Sequence, residues 1–194
     1  LLSDRMFLGL TFLGAFGMAS FFVFIASASF VYAGQFGLSP AGFSIAFALN
    51  AIGFFAASQL AAGLGQRFGA RVVVFRASLG FALCASATFA LAAAGFGSLP
   101  VVVAGLFLGN ACLGLVIPTT MVMALDDHGD IAGLASSLGG TLQMLTGGAV
   151  VALAGPFFDG TAVPMLAVIA LCGVLASATA ALALGRDRLA GQAR

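Results

Sequence analysis

Residues 40–64 read PAGFSIAFALNAIGFFAASQLAAGL, a run without a single charge, opened by Ser39-Pro40 and followed closely by Arg67 and Arg71. A membrane-spanning helix needs about 20 predominantly apolar residues at about 1.5 Å of rise each, so this stretch is long enough to cross a bilayer. In hydrocarbon every backbone N–H and C=O must be satisfied within the segment, and that makes it a helix. Ser39 supplies an N-cap and Pro40 occupies the first helical position, where its missing N–H costs nothing. Five further stretches meet the same requirement. The spacing predicts helices over about 6–31, 40–64, 72–94, 100–125, 131–154 and 163–184. Gly95-Phe96-Gly97-Ser98 and Asp127-His128-Gly129-Asp130 supply turn chemistry between them.

Composition agrees. The 194 residues are 62% hydrophobic and 7% charged, with mean hydropathy +1.19, whereas about a quarter of the residues of a soluble domain carry charge. The natural solvent of this surface is lipid. There is no Lys, Glu or Trp, and the net charge of +1 excludes the basic stripe that a nucleic-acid partner requires. Cys84, Cys112 and Cys172 fall in three different apolar segments, which suits small hydrophobes better than a disulfide framework or metal site. No secretory leader is expected, because the first apolar run is too long for one. The start at Leu1-Leu2-Ser3, without Met, suggests a piece of a longer protein. Enzyme chemistry finds no support: no phosphate loop, no CxxC, and a single His, His128, outside the apolar runs. His128 lies among Asp126, Asp127 and Asp130, where helix capping by Asp130 is a better expectation than a metal. No cofactor is expected.

Arginine placement sets the orientation. Arg5 precedes the first helix, Arg67, Arg71 and Arg76 surround the 2–3 connection, and Arg186, Arg188 and Arg194 follow the sixth. All fall on one side of a six-span topology, which the positive-inside rule makes cytoplasmic, with both termini. The opposite loops carry only Asp159. Tyr32, at the outer end of helix 1, reads as an interfacial anchor. Amides in hydrocarbon are expensive and so informative. Asn50, Asn110 and Gln143 lie near the middle of helices 2, 4 and 5, and Ser20, Met18, Phe21, Phe22 and Phe24 lie at similar depth in helix 1. Helices 3 and 6 contain no Asn or Gln. This split predicts helices 1, 2, 4 and 5 around a cavity for bulky apolar ligands, with 3 and 6 outside. Two seams of small and polar residues, Ala46-Asn50-Gly53-Ala57-Ala61 and Ser136-Gly140-Gln143-Gly147, suit either that cavity or close helix packing. Gly105 and Gly109 suit packing, and Pro118 should kink helix 4.

The stretch 38–71, LSPAGFSIAFALNAIGFFAASQLAAGLGQRFGAR, resembles the major facilitator superfamily (MFS) of transporters, and most nearly the second half of the bicyclomycin-resistance (Bcr/CflA) drug:proton antiporters. AGLASSLGGTLQMLTGGAV at 132–150 is similar to the same group, and Ser3-Asp4-Arg5-Met6-Phe7-Leu8-Gly9 resembles the start of the seventh of its twelve helices. The superfamily's cytoplasmic loop motif, roughly GxLaDRxGRR, falls on 62–71. Leu64, Arg67, Gly69 and Arg71 match, while Ala62, Gln66 and Ala70 depart from it. The resemblance implies an all-α membrane fold, half of an MFS transporter, built as a 3+3 inverted repeat. It further implies proton-coupled multidrug or small-molecule efflux across a bacterial inner membrane. Partners would be a small-molecule substrate, protons, the bilayer, and the missing N-terminal half or a second copy. The proton-carrying carboxylates would lie in the other half. Substrate-facing residues would be Met18, Phe22, Asn50, Asn110 and Gln143. The alternatives are a non-transporting membrane scaffold or assembly protein of this fold, and a half-size transporter acting as a homodimer.

Overall fold

The computed structural model describes residues 1–126 and 128–191, with side chains through residue 185. Six long helices dominate the described residues: α1 (Arg5–Phe30), α2 (Pro40–Phe68), α3 (Ala70–Leu91), α4 (Leu99–Asp126), α5 (Ala132–Ala154) and α6 (Ala162–Gly191). Each contains a span long and apolar enough to cross a membrane, 24 to 31 residues with the adjoining turns. The chain is a multi-pass membrane protein.

Local chemistry sets the helix ends. Asp4 caps α1, its carboxylate accepting the N–H groups of Met6 (2.8 Å) and Phe7 (3.2 Å). Ser39 caps α2 as its sequence predicts, accepting from Gly42 N at 3.2 Å. One residue, Gly69, separates α2 from α3 and is shared by both ends, with φ +87° and ψ 130°. That conformation is open to glycine and strained for any side chain. At its C-terminal end α1 widens into a π-helical turn, Val31–Gln35. There Gln35 reaches across the bundle and accepts the N–H of Ala162 at 2.6 Å, which satisfies an end group of α6.

The centre belongs to α1 and α4. α1 packs on α5, α6 and α4; α4 packs on α2, α3 and α1; α3 packs on α6. Exchanging 1 with 4, 2 with 5 and 3 with 6 maps every one of these pairs onto another or onto itself. The contacts are therefore those of two equivalent three-helix units, the second helix of each packing on the first helix of the other. The α2–α3 contact, which has no α5–α6 counterpart of comparable extent, breaks the symmetry.

Glycines permit the close crossings. A Cβ on Gly53 would lie 2.9 Å from the Phe107 ring, and one on Gly114 would collide with the Phe54 carbonyl, so α2 and α4 touch backbone to side chain and backbone to backbone. Gly105 and Gly109 face Thr88 and Phe81 of α3, which is the packing role expected of them. Of the α2 seam, Ala46, Asn50, Gly53 and Ala61 are buried and Ala57 is half-buried. The α5 seam is buried at Gln143 and Gly147 as the spacing implies, and differs by one residue at its first two positions. Its buried positions are Ala135, Gly139, Gln143 and Gly147, a strict four-residue repeat, while Ser136 and Gly140 stand beside it. α4 runs unbroken through Pro118. Around the proline, the hydroxyls of Thr119 and Thr120 donate to the carbonyls of Leu115 and Val116.

One expectation about periphery holds only in part. α3 has a broad exposed apolar side, but α6, held between α1 and α3, is more buried than α2 or α5. α2 and α5 instead expose long apolar arcs, including Ile52, Phe55, Leu60, Leu134, Leu145 and Leu153.

Candidate functional site

Two of the three amides meet. The Asn110 Nδ2 group donates to Asn50 Oδ1 at 3.3 Å, and Asn50 Nδ2 donates to the Ala46 carbonyl at 2.9 Å. Both residues are buried, so the pair joins α2 to α4 in a low-dielectric setting where an unpaired amide would be costly. Beside Asn110 lies a cavity of about 10 Å³ between α1, α3, α4 and α6, with Ser20 and Thr88 among its lining groups. It has room for about one water, far less than the roughly 300–1,000 Å³ of a drug-sized ligand site.

Gln143 is elsewhere. Its Nε2 occupies the notch left by Gly14, where a Cβ would come within 2.8 Å of it and within 3.4 Å of Thr120 Oγ1. Thr120 is ten residues past Asn110 on α4, about 15 Å of rise. Gln143 therefore does not join the Asn50–Asn110 pair. Counting residues along each helix ignores tilt and stagger, and these place Gln143 at the α1–α4–α5 junction, nearer the arginine-bearing end. Asn50 and Asn110 bond between helices, and Gln143 fills a notch at the α1–α5 crossing.

An aromatic wall runs along α1 and α2 in the other half of the bundle. Phe21 stacks on Phe54 with centroids 6.1 Å apart, Phe24 stacks on Phe47 at 5.5 Å, and Phe43 continues the row to Tyr32 at 6.0 Å. Phe43, Phe47 and Phe54 recur at helical spacing on α2, a periodicity legible in the sequence. Phe22 leaves this wall and packs into Gly147 of α5, and Met18 is half-buried one turn before it. Tyr32 is not an interfacial anchor. It is fully buried, because the π-helical turn carries it inward among Phe24, Phe36 and Phe43, with its hydroxyl toward Asn50.

At the opposite end His128 holds α1 to α4. Its Nε2 is 3.2 Å from the Asp4 carboxylate, its Nδ1 is 3.1 Å from the Ala124 carbonyl, and its ring meets Phe7 edge-on at 5.5 Å. Asp130 is exposed in the Gly129–Ile131 turn and caps nothing; Ile131 occupies the N-cap position of α5 without a side-chain bond. Asp127 lies outside the described residues. Among those described, no three His, Cys, Asp or Glu groups are placed to hold a metal. Cys84 and Cys112 are half-buried free thiols and Cys172 a buried one. Of the loop motif, Gly69 makes the one-residue turn, Arg67 lies 5.2 Å from the Phe68 ring centroid, and Arg71 is exposed. On the other face, Asp159 is held below the usual carboxylate range by the Thr161 hydroxyl and then by its backbone N–H.

The sequence is 31% identical over 181 residues to an uncharacterized MFS-type transporter, YdgK, of Bacillus subtilis (strain 168), across 91% of this chain and 44% of the relative. That match supports membership of the major facilitator superfamily. No family model and no solved structure matches. The chain thus spans under half the length of its MFS relative.

Proposed function

We propose that this chain is the C-terminal six-helix half of a proton-coupled exporter of drugs or other small molecules, related to the Bcr/CflA group. It sits in a bacterial inner membrane with its termini and arginines in the cytoplasm. The observation that carries this reading is the exposure of large apolar side chains along α2 and α5, while the interior of the six helices has room for only about one water, beside Asn110. The chain supplies one wall of a ligand site and leaves the opposing wall to another six helices. Phe21 and Phe54, with Met18 and Phe22, form the apolar part of that wall. Asn50 and Asn110 brace it from behind, and Gln143 braces α5 against α1. Arg67, Gly69 and Arg71 shape the cytoplasmic turn. With no Asp in the middle of any span, the proton carrier belongs to the other half.

The test is drug resistance in an efflux-deficient bacterium. The full-length gene product should raise it, the six-helix chain alone should not, and the two halves co-expressed as separate chains should restore part of it. Resistance from the six-helix chain alone would instead favour the homodimeric transporter.

A further inference from the structure

α1 has a second open face. Arg5, Leu8, Phe12 and Phe16 line a groove of about 680 Å³ whose other wall includes Thr179 and Leu182 of α6. Phe12 stands nine residues before Phe21, about two and a half helical turns, and Phe21 stacks on Phe54 of α2. The groove therefore opens on the opposite side of α1 from α2, away from the surface that the missing half would cover. What faces it is lipid. Arg5 to Phe16 is about 16 Å of helix rise, close to one leaflet of a hydrocarbon core about 30 Å thick. The wall is apolar along that length and cationic at its mouth. Arg5 is exposed and makes no ion pair among the described residues. Its neighbour Asp4 also borders the mouth, but its carboxylate is engaged by the N–H groups of Met6 and Phe7 and by His128.

We propose that this groove binds an anionic phospholipid, with the headgroup phosphate on the Arg5 guanidinium and one acyl chain along Leu8, Phe12, Phe16 and Leu182. A guanidinium suits phosphate because its planar N–H fork donates two parallel bonds. The inference rests on the arginine-bearing face being cytoplasmic, since that leaflet carries the anionic lipids.

Native mass spectrometry of the intact protein tests it, using phosphatidylglycerol, phosphatidylcholine of identical chains, and glycerol 3-phosphate as the headgroup alone. The expected result is one phosphatidylglycerol retained about fivefold more tightly than phosphatidylcholine, with glycerol 3-phosphate bound far more weakly. Arg5→Gln should erase the preference between the two lipids. Thr179→Phe, which fills the groove, should reduce retention of both; Leu8→Trp does the same from the other wall if the first variant fails to accumulate. Equal retention of the two lipids, a preference that survives Arg5→Gln, undiminished retention in the filled groove, or glycerol 3-phosphate binding as tightly as the lipid would each overturn the proposal. No transported substrate enters the measurement, so failure of the export reading and failure of this site are separately visible.

Discussion

Asn50 and Asn110 show how a residue's cost reveals its role. Hydrogen bonds between membrane helices are worth about 0.6 kcal/mol on average and about 1.7 at most. Asn50→Leu should therefore destabilise the bundle by about 1 kcal/mol, leaving the Asn110 donor without its partner. The double variant Asn50→Leu/Asn110→Leu should cost less than the sum of the single changes, because removing both partners leaves no orphaned group. Unfolding in mixed micelles measures this; strict additivity would mean the pair is not coupled. Gln143→Leu should likewise act on stability rather than on ligand affinity, since its amide fills the Gly14 notch. An unchanged midpoint with weakened substrate binding in the full-length protein would return Gln143 to the cavity. The amides were legible in the sequence as expensive residues with a purpose, but which of them meet was not. Pairing depends on helix stagger, which residue counting cannot supply. Tyr32 failed for a related reason: an outer-end tyrosine is usually wet, and only the π-helical turn buries this one.

Among elements, ends and crossings matter more than helix interiors. The six spans were legible from length and hydropathy alone, because lipid leaves an uncharged run no alternative to helix. The one-residue α2–α3 turn follows from Gly69 at φ +87°. Gly69→Ala should cost about 1–3 kcal/mol in backbone strain and lower the thermal midpoint, whereas Ala70→Gly beside it should not approach that loss. Equal effects would show that the turn does not demand glycine. The Gln35–Ala162 bond could not be read from sequence, since its partners are 127 residues apart. Gln35→Ala should speed hydrogen exchange at the first turn of α6, Ala162–Met165, and leave α3 unchanged. Protection unaltered in that turn would assign the cap to solvent or to Asp159. On α5 the first two seam positions lie one residue earlier than the spacing predicts, because Ser136 and Gly140 satisfy small-residue spacing almost as well as Ala135 and Gly139. Helix 5 could rotate by one residue and still present a small-residue face; contact with Phe7, Gly14 and Phe22 of α1 decides.

For the whole molecule, the symmetric exchange of α2 and α5 leaves two arcs of large apolar side chains exposed. The one-sided arginines give the orientation a direct check: in sealed cells an impermeant thiol reagent should modify Asp159→Cys and not Arg186→Cys, and the reverse would invert the topology. The central claim is that this six-helix unit completes a proton-coupled exporter with a second half. Its most direct measurement is the pH gradient across inverted membrane vesicles holding the full-length gene product. Addition of an exported drug should dissipate part of the gradient, the response should vanish when the six-helix chain is present alone, and Asn50→Leu should weaken but not abolish it. A gradient indifferent to every drug that the cells resist through this protein, or full proton movement by the six-helix chain alone, would contradict the account.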